Sequence, residues 1–235
     1  VQVSLWKVGQ TNQVTTTLQD PTLTVAQRLQ RDSFLASLCW SQDGSWLVGL
    51  DLQLYLAIWN TATNKMQRIA LPDRMKDLHS SEAAQVQPLI YNYTVVSSPT
   101  SPTLFAASDN DVIALYDVQK RTFTRLLGTD DPTALQAQPI GDRSSYYAQI
   151  TALAWSPDGR YLAGTYYSNS LIYLWDLRNT QPRLKNGVQM PDLIFGKNGH
   201  TDTISDLTWS PDERYLASSS RDSTIIIWKM GNVVA

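Results

Sequence analysis

The chain has 235 residues, 43% hydrophobic and 17% charged, with a net charge of −2; this is the composition of an ordinary globular protein, without the basic run of a nucleic-acid binder. Cys39 is the only cysteine, which excludes an internal disulfide framework and a cysteine-based zinc cage, and no apolar run reaches bilayer-spanning length. Neither nucleic acid nor membrane is expected as a partner, and a soluble, cytoplasmic protein is.

In chain order, the first predicted elements are two strands, Val1 to Trp6 and Gln13 to Leu18, which read as the last two strands of a four-strand unit. Leu23 to Arg31 is the only stretch of helical character. A full unit follows over about 33–71, with strands SFLASLCW, SWLVGL, LYLAIW and KMQRIAL and with Cys39 as a small hydrophobe inside the first. Another spans about 85–128, with VQPLIYN, TLFAAS, DVIALY and TFTRLLG; YTVVSSPTSP reads as a surface loop within its opening hairpin. Asn92-Tyr93-Thr94 matches a glycosylation acceptor, a pattern too common to carry weight. The next unit covers about 149–197 and the last about 200–235.

Two markers repeat in phase. Strands end in an aromatic residue at Trp6, Trp59, Tyr116, Trp175 and Trp228, 53 to 59 positions apart. CWSQDGSWLVG, AWSPDGRYLAG and TWSPDERYLAS, starting at Cys39, Ala154 and Thr208, each precede such an end. Their Ser-x-Asp-Gly type centres are tight turns, with Pro157 and Pro211 presetting φ and Asp158 and Asp212 bonding the local backbone. LYLAIW and TIIIW are nearly continuous apolar runs, as expected of strands covered on both faces.

The most complete unit is GHTDTISDLTWSPDERYLASSSRDSTIIIW, Gly199 to Trp228. Indole, hydroxyl, imidazole and carboxylate occur in it with the spacing of a buried hydrogen-bond chain: Trp228, Ser218 or Ser220, His200 and Asp222. The two serines share a strand face, so the sequence leaves the choice between them open. This stretch resembles the WD-repeat family, and similarity extends to bacterial WD-repeat proteins, some joined to serine/threonine kinases. The resemblance implies an all-β propeller of four-stranded antiparallel blades, a structural role for the tetrad, and an incomplete arc of a seven-bladed ring, with missing blades or a kinase domain elsewhere in a longer polypeptide. Away from the fifth blade the match weakens: Gln53, Asn110 and Asn169 stand at the Asp222 position. His79 lies too far from its strand to align with His200.

Enzymatic readings find little support. There are two histidines, and no G-x-S-x-G elbow, P-loop or G-x-G-x-x-G. Asp109-Asn110-Asp111 suits a turn better than a calcium loop, and Asp130-Asp131 reads as a solvated loop start. No catalytic residue, metal ligand or cofactor is assigned. Long connections at Pro72–Ala84, Thr129–Tyr147 and Asn179–Pro191 are candidate binding elements. Tyr146, Tyr147, Tyr166, Tyr167 and Arg221 are the residue types that dominate protein interfaces, and the resemblance places the residue before the tetrad Asp on a partner-facing rim. The expected function is a non-enzymatic scaffold or sensor module binding a protein or peptide; the alternative is a propeller hydrolase or metal-dependent enzyme with its site in the central channel.

Overall fold

The Trp-Ser-x-Asp segments close tight turns through their own side chains. Ser41, Ser156 and Ser210 donate to Asp43, Asp158 and Asp212 at 2.7, 2.6 and 2.6 Å. Each serine hydroxyl in turn accepts an amide from the returning strand, that of Trp46, Tyr161 or Tyr215. The fourth turn residue takes positive φ: 71° at Gly44, 68° at Gly159 and 61° at Glu213.

A Cβ on Gly44 would meet nothing, whereas one on Gly159 would run into Thr100 of the preceding sheet. Gly44→Ala should cost about 1 kcal/mol for the left-handed backbone alone. Gly159→Ala should cost roughly 1–3 kcal/mol more for the added overlap. Denaturant midpoints of the two variants test this, and equal losses would contradict the close approach.

In the computed structural model the described residues are 2–6, 14–19, 35–51, 54–72, 93–109, 111–135, 138–139, 145–146 and 149–231. The expected helix at Leu23 to Arg31, the expected strand at Val86 to Asn92, His79 and Asn92 lie outside them. The N-terminal hairpin is β1 (Gln2–Trp6) with β2 (Val14–Gln19). The second blade is β3 (Leu35–Trp40), β4 (Trp46–Asp51), β5 (Tyr55–Asn60) and β6 (Lys65–Ala70). The third is β7 (Val95–Ser97), β8 (Leu104–Asp109), β9 (Val112–Asp117) and β10 (Thr122–Leu127). A small hairpin, β11 (Gln138–Pro139) with β12 (Ser145–Tyr146), precedes the fourth blade. That blade is β13 (Ile150–Trp155), β14 (Tyr161–Tyr166), β15 (Ile172–Asp176) and, after a further hairpin of β16 (Leu184–Lys185) and β17 (Val188–Gln189), β18 (Leu193–Phe195). The fifth is β19 (Ile204–Trp209), β20 (Tyr215–Ser220) and β21 (Ile225–Lys229). Pairing between consecutive strands of each blade is antiparallel.

The cores lie between the sheets. One joins Leu50, Leu56 and Ile58 of the second blade to Phe105 and Tyr116 of the third. The next joins Ile113 and Leu115 to Leu153, Tyr173 and Trp175 of the fourth, and another joins Ala154, Ala163 and Leu174 to Leu207, Trp209 and Leu216 of the fifth. Val3 of β1 covers Leu47, Ala57 and Trp59. All six residues of β9 and of β14 are consequently buried, which is why these strands lack polar alternation. Among the described residues β21 pairs with β20 alone, and β1 and β2 pair with each other, so no strand pairing closes the arc.

Three expectations change. Val95–Ser97, read as part of a surface loop, is the strand paired with β8, and Ser98 donates its amide to Leu104 as Ser156 does to Tyr161. VSSPTSPTL is thus another, lengthened copy of the turn marker. The run TIIIW is covered on one face only: Ile225 and Ile227 are 72% and 61% exposed, because no described element packs there. Finally, Asn179–Pro191 does not project as a free loop. Asn186 and Gly187, at φ 52° and 81°, form the two-residue turn of a hairpin whose second strand lies parallel to β10, with Leu127 opposite Gln189. The fourth blade thereby extends the third to six strands.

Candidate functional site

The fifth blade holds the hydrogen-bond chain. Trp228 Nε1 donates to Ser218 Oγ at 2.8 Å, and Ser218 Oγ lies 2.8 Å from His200 Nε2. His200 Nδ1 is 3.0 Å from Asp222 Oδ2. An indole can only donate and an ionised carboxylate only accept, so the serine hydroxyl passes its proton toward Nε2 and Nδ1–H points at Asp222. Neutral imidazole satisfies every member. Ser218 is the serine in the chain; Ser220 instead donates to the Asp202 carbonyl and accepts the Asp222 amide.

Thr224, absent from the sequence reading, belongs to the same cluster: its hydroxyl donates to Asp222 at 2.6 Å and lies 3.1 Å from His200 Nδ1. The Asp-x-Thr spacing was its available signal. The Thr224 hydroxyl first, then the Thr201 amide and His200, hold the Asp222 carboxyl well below its ordinary value. A carboxyl depressed in the folded state stabilises the fold above its unfolded pKa of 3.8, and that contribution is lost as pH falls toward the depressed folded value. Asp222→Asn should therefore lower the melting temperature near neutrality, with a deficit that shrinks below about pH 4. A deficit constant across an acid titration would contradict this.

The other blades use different solutions. Trp175, at the position of Trp228, donates to the Gly128 carbonyl of the third blade at 3.1 Å. Asn169, at the position of Asp222, donates to Tyr173 Oη, which donates to Asp131 at 2.8 Å. Asp130 accepts both terminal nitrogens of Arg183 at 2.9 Å, which ties the inserted hairpin down. Asp130 and Asp131 are therefore anchors between blades rather than a solvated loop start: Arg183 and the Tyr173 hydroxyl each need an acceptor where the blades meet. Trp59 Nε1 and Tyr116 Oη, at the same aromatic ends, are buried with no hydrogen-bond partner among the described residues.

Of the five residues considered for partner binding, Tyr167 and Arg221 come together. The Arg221 guanidinium lies 5.0 Å from the Tyr167 ring centroid, and its Nη1 donates to Tyr167 Oη at 3.1 Å. Arg221 is exposed and Tyr167 half-buried. The pair spans the joint between fourth and fifth blades, fixed by the Thr203 hydroxyl donating to the Tyr167 carbonyl and by the Arg221 amide donating to that of Thr203. Tyr166 is fully buried, donates to the Asp111 carbonyl at 3.0 Å and packs edge-on to Tyr173. It is a core residue, because it closes β14, which is covered on both faces, whereas Tyr167 lies in the turn that follows. Tyr146 ends β12, and Tyr147 lies outside the described residues. Asp109 pairs with Val112 across the turn between β8 and β9. Among the described residues no group of three or more His, Cys, Asp or Glu could hold a metal ion.

An all-β arc of antiparallel four-stranded sheets, stacked face to face, defines a β-propeller. Residues 140–176 and 192–229, which take in β13 to β15 and β18 to β21, match the family model "WD domain, G-beta repeat". Protein HIRA of Dictyostelium discoideum is 35% identical over 104 residues, 44% of this chain and 9% of that protein. Protein LST8 homolog of Drosophila melanogaster is 25% identical over 195 residues, 82% of this chain and 50% of that protein. The chain thus spans half or less of the length of these relatives. Both are eukaryotic, and the bacterial resemblance is not borne out. A chain in the crystal structure of the mitotic checkpoint complex superposes with a TM-score of 0.61, over 97% of this chain and 57% of its own, at 15% identity, a likeness of fold alone.

Proposed function

We propose that the protein is a non-enzymatic scaffold that binds a protein or peptide partner at the joint where Tyr167 and Arg221 meet. The observation that carries this reading is that pair: an accessible aromatic ring and guanidinium, pre-oriented on each other and held by backbone contacts between two rigid blades. Such groups supply large contact area at low cost in ordering entropy. His200, the one histidine among the described residues, is consumed in an internal network. Further blades in the assembly and a cytoplasmic setting, where the lone thiol of Cys39 stays reduced, belong to the same proposal. The kinase-linked variant rested on the bacterial resemblance and is not carried forward.

The test is affinity capture with wild type, Arg221→Ala and Tyr167→Ala, each at matched folded concentration. Loss of either anchor should weaken recovery of a shared partner about tenfold or more, as for an interface hot spot. Equal recovery of every partner by all three proteins would remove this surface from the account.

A further inference from the structure

Four guanidiniums lie over tyrosine rings among the described residues: Arg68 over Tyr55, Arg160 over Tyr161, Arg214 over Tyr215 and Arg221 over Tyr167, 4.0 to 6.0 Å from the centroids. Three of the four also hold a side-chain carboxylate. Arg68 gives Nε and Nη2 to Asp51 Oδ2 at 3.0 and 2.6 Å, and Arg160 gives the same two nitrogens to Asp176 Oδ2 at 3.0 and 2.9 Å. Arg214 gives Nε to Asp212 Oδ2 at 2.6 Å although its side chain is 72% exposed. Exposure alone therefore does not leave such an arginine without an acid.

Arg221 differs. Its single side-chain hydrogen bond among the described residues runs from Nη1 to Tyr167 Oη, so the Nε and Nη2 edge that carries the acid in Arg68 and Arg160 is open there. The nearby carboxylates are engaged elsewhere. Asp222 accepts the Thr224 hydroxyl and the Thr201 amide and lies against His200. Asp202 Oδ1 accepts the amide of Thr203, whose carbonyl takes the Arg221 amide. The ring and hydroxyl of Tyr167 fix the plane of the guanidinium, so an incoming oxyanion meets two parallel donors already oriented.

We propose that the open edge of Arg221 takes the side-chain carboxylate of an aspartate or glutamate in the partner, which accepts from Nε and Nη2 as Asp176 does from Arg160. The three filled arrangements in the same chain all hold a carboxylate, which favours this group over a phosphate. The partner segment is thus acidic at the residue that reaches the joint between fourth and fifth blades. This rests on the reading of Tyr167 and Arg221 as a binding surface and adds the chemistry of what is bound there.

The probe is a set of fluorescent nonapeptide libraries, each with one fixed central residue and the other positions randomised over non-acidic residues, passed over the immobilised full chain. Libraries fixed with glutamate or aspartate should be retained about fivefold or more above those fixed with glutamine or asparagine, as a charge-assisted bond outweighs a neutral one. Arg221→Gln should remove that preference at an unchanged melting temperature, since the side chain is exposed. Equal retention of acid and amide by wild type, a preference that survives Arg221→Gln, or stronger retention of a phosphoserine-fixed library would overturn the proposal. If Arg221→Ala then loses acid and amide libraries alike, the binding surface stands and only its acid specificity falls. Equal retention of every library by wild type and Arg221→Ala would remove both.

Discussion

Asp51→Ala is expected to cost about 3–5 kcal/mol of unfolding free energy, the range for breaking a buried ion pair from one side. Asp51 is fully buried, with Oδ2 accepting Arg68 Nε and Nη2 at 3.0 and 2.6 Å and Oδ1 accepting the Tyr55 amide at 2.9 Å. Arg68, whose side chain is 17% exposed, lies 4.0 Å from the Tyr55 ring centroid. Removing the carboxylate leaves this guanidinium desolvated and short of its counter-charge. The double variant Asp51→Ala/Arg68→Leu should recover part of the loss, since two apolar groups leave no stranded charge. Denaturant unfolding of the three proteins checks both statements, and a single variant no worse than the double would contradict the pairing argument.

His200→Ala should lower stability by about 2–4 kcal/mol, from a lost acceptor for the Ser218 hydroxyl and the cavity an imidazole leaves. Ser218 is 1% exposed and His200 4%, so water cannot replace the lost bond. Trp59→Phe offers the contrast. The Trp59 indole nitrogen has no hydrogen-bond partner among the described residues, so removing it relieves an unmet donor, and only the volume change costs stability. The test is a calorimetric comparison. An unchanged melting temperature for His200→Ala, with a lost activity, would mark the histidine as functional rather than structural.

The order of the fifth-blade network was readable because turn residues fix its offsets: Asp212 and Asp222 each sit in a turn that dictates where the next strand begins. The choice between Ser218 and Ser220 was not, because both lie on one strand face. It was settled by cross-strand register, with Ser218 opposite Leu207 and Leu216 opposite Trp228. Val95–Ser97 escaped recognition because its marker carries neither Trp nor Asp, and its turn is one residue longer. The hairpin at Leu184–Gln189 pairs with a strand about 60 residues earlier in the chain, a contact that local periodicity does not encode. Tyr166 and Tyr167 look alike in sequence, yet the first closes β14, which is covered on both faces, and the second opens the turn beyond it, where it stays half-buried.

Partner recovery per folded molecule, compared between His200→Ala and Arg221→Ala below the melting temperature of both, tests the central claim most directly. The account assigns His200 to the internal framework and Arg221 to the binding surface. It predicts recovery close to wild type for His200→Ala and a loss of about tenfold for Arg221→Ala. Normal recovery with Arg221→Ala, together with loss in folded His200→Ala, would contradict it.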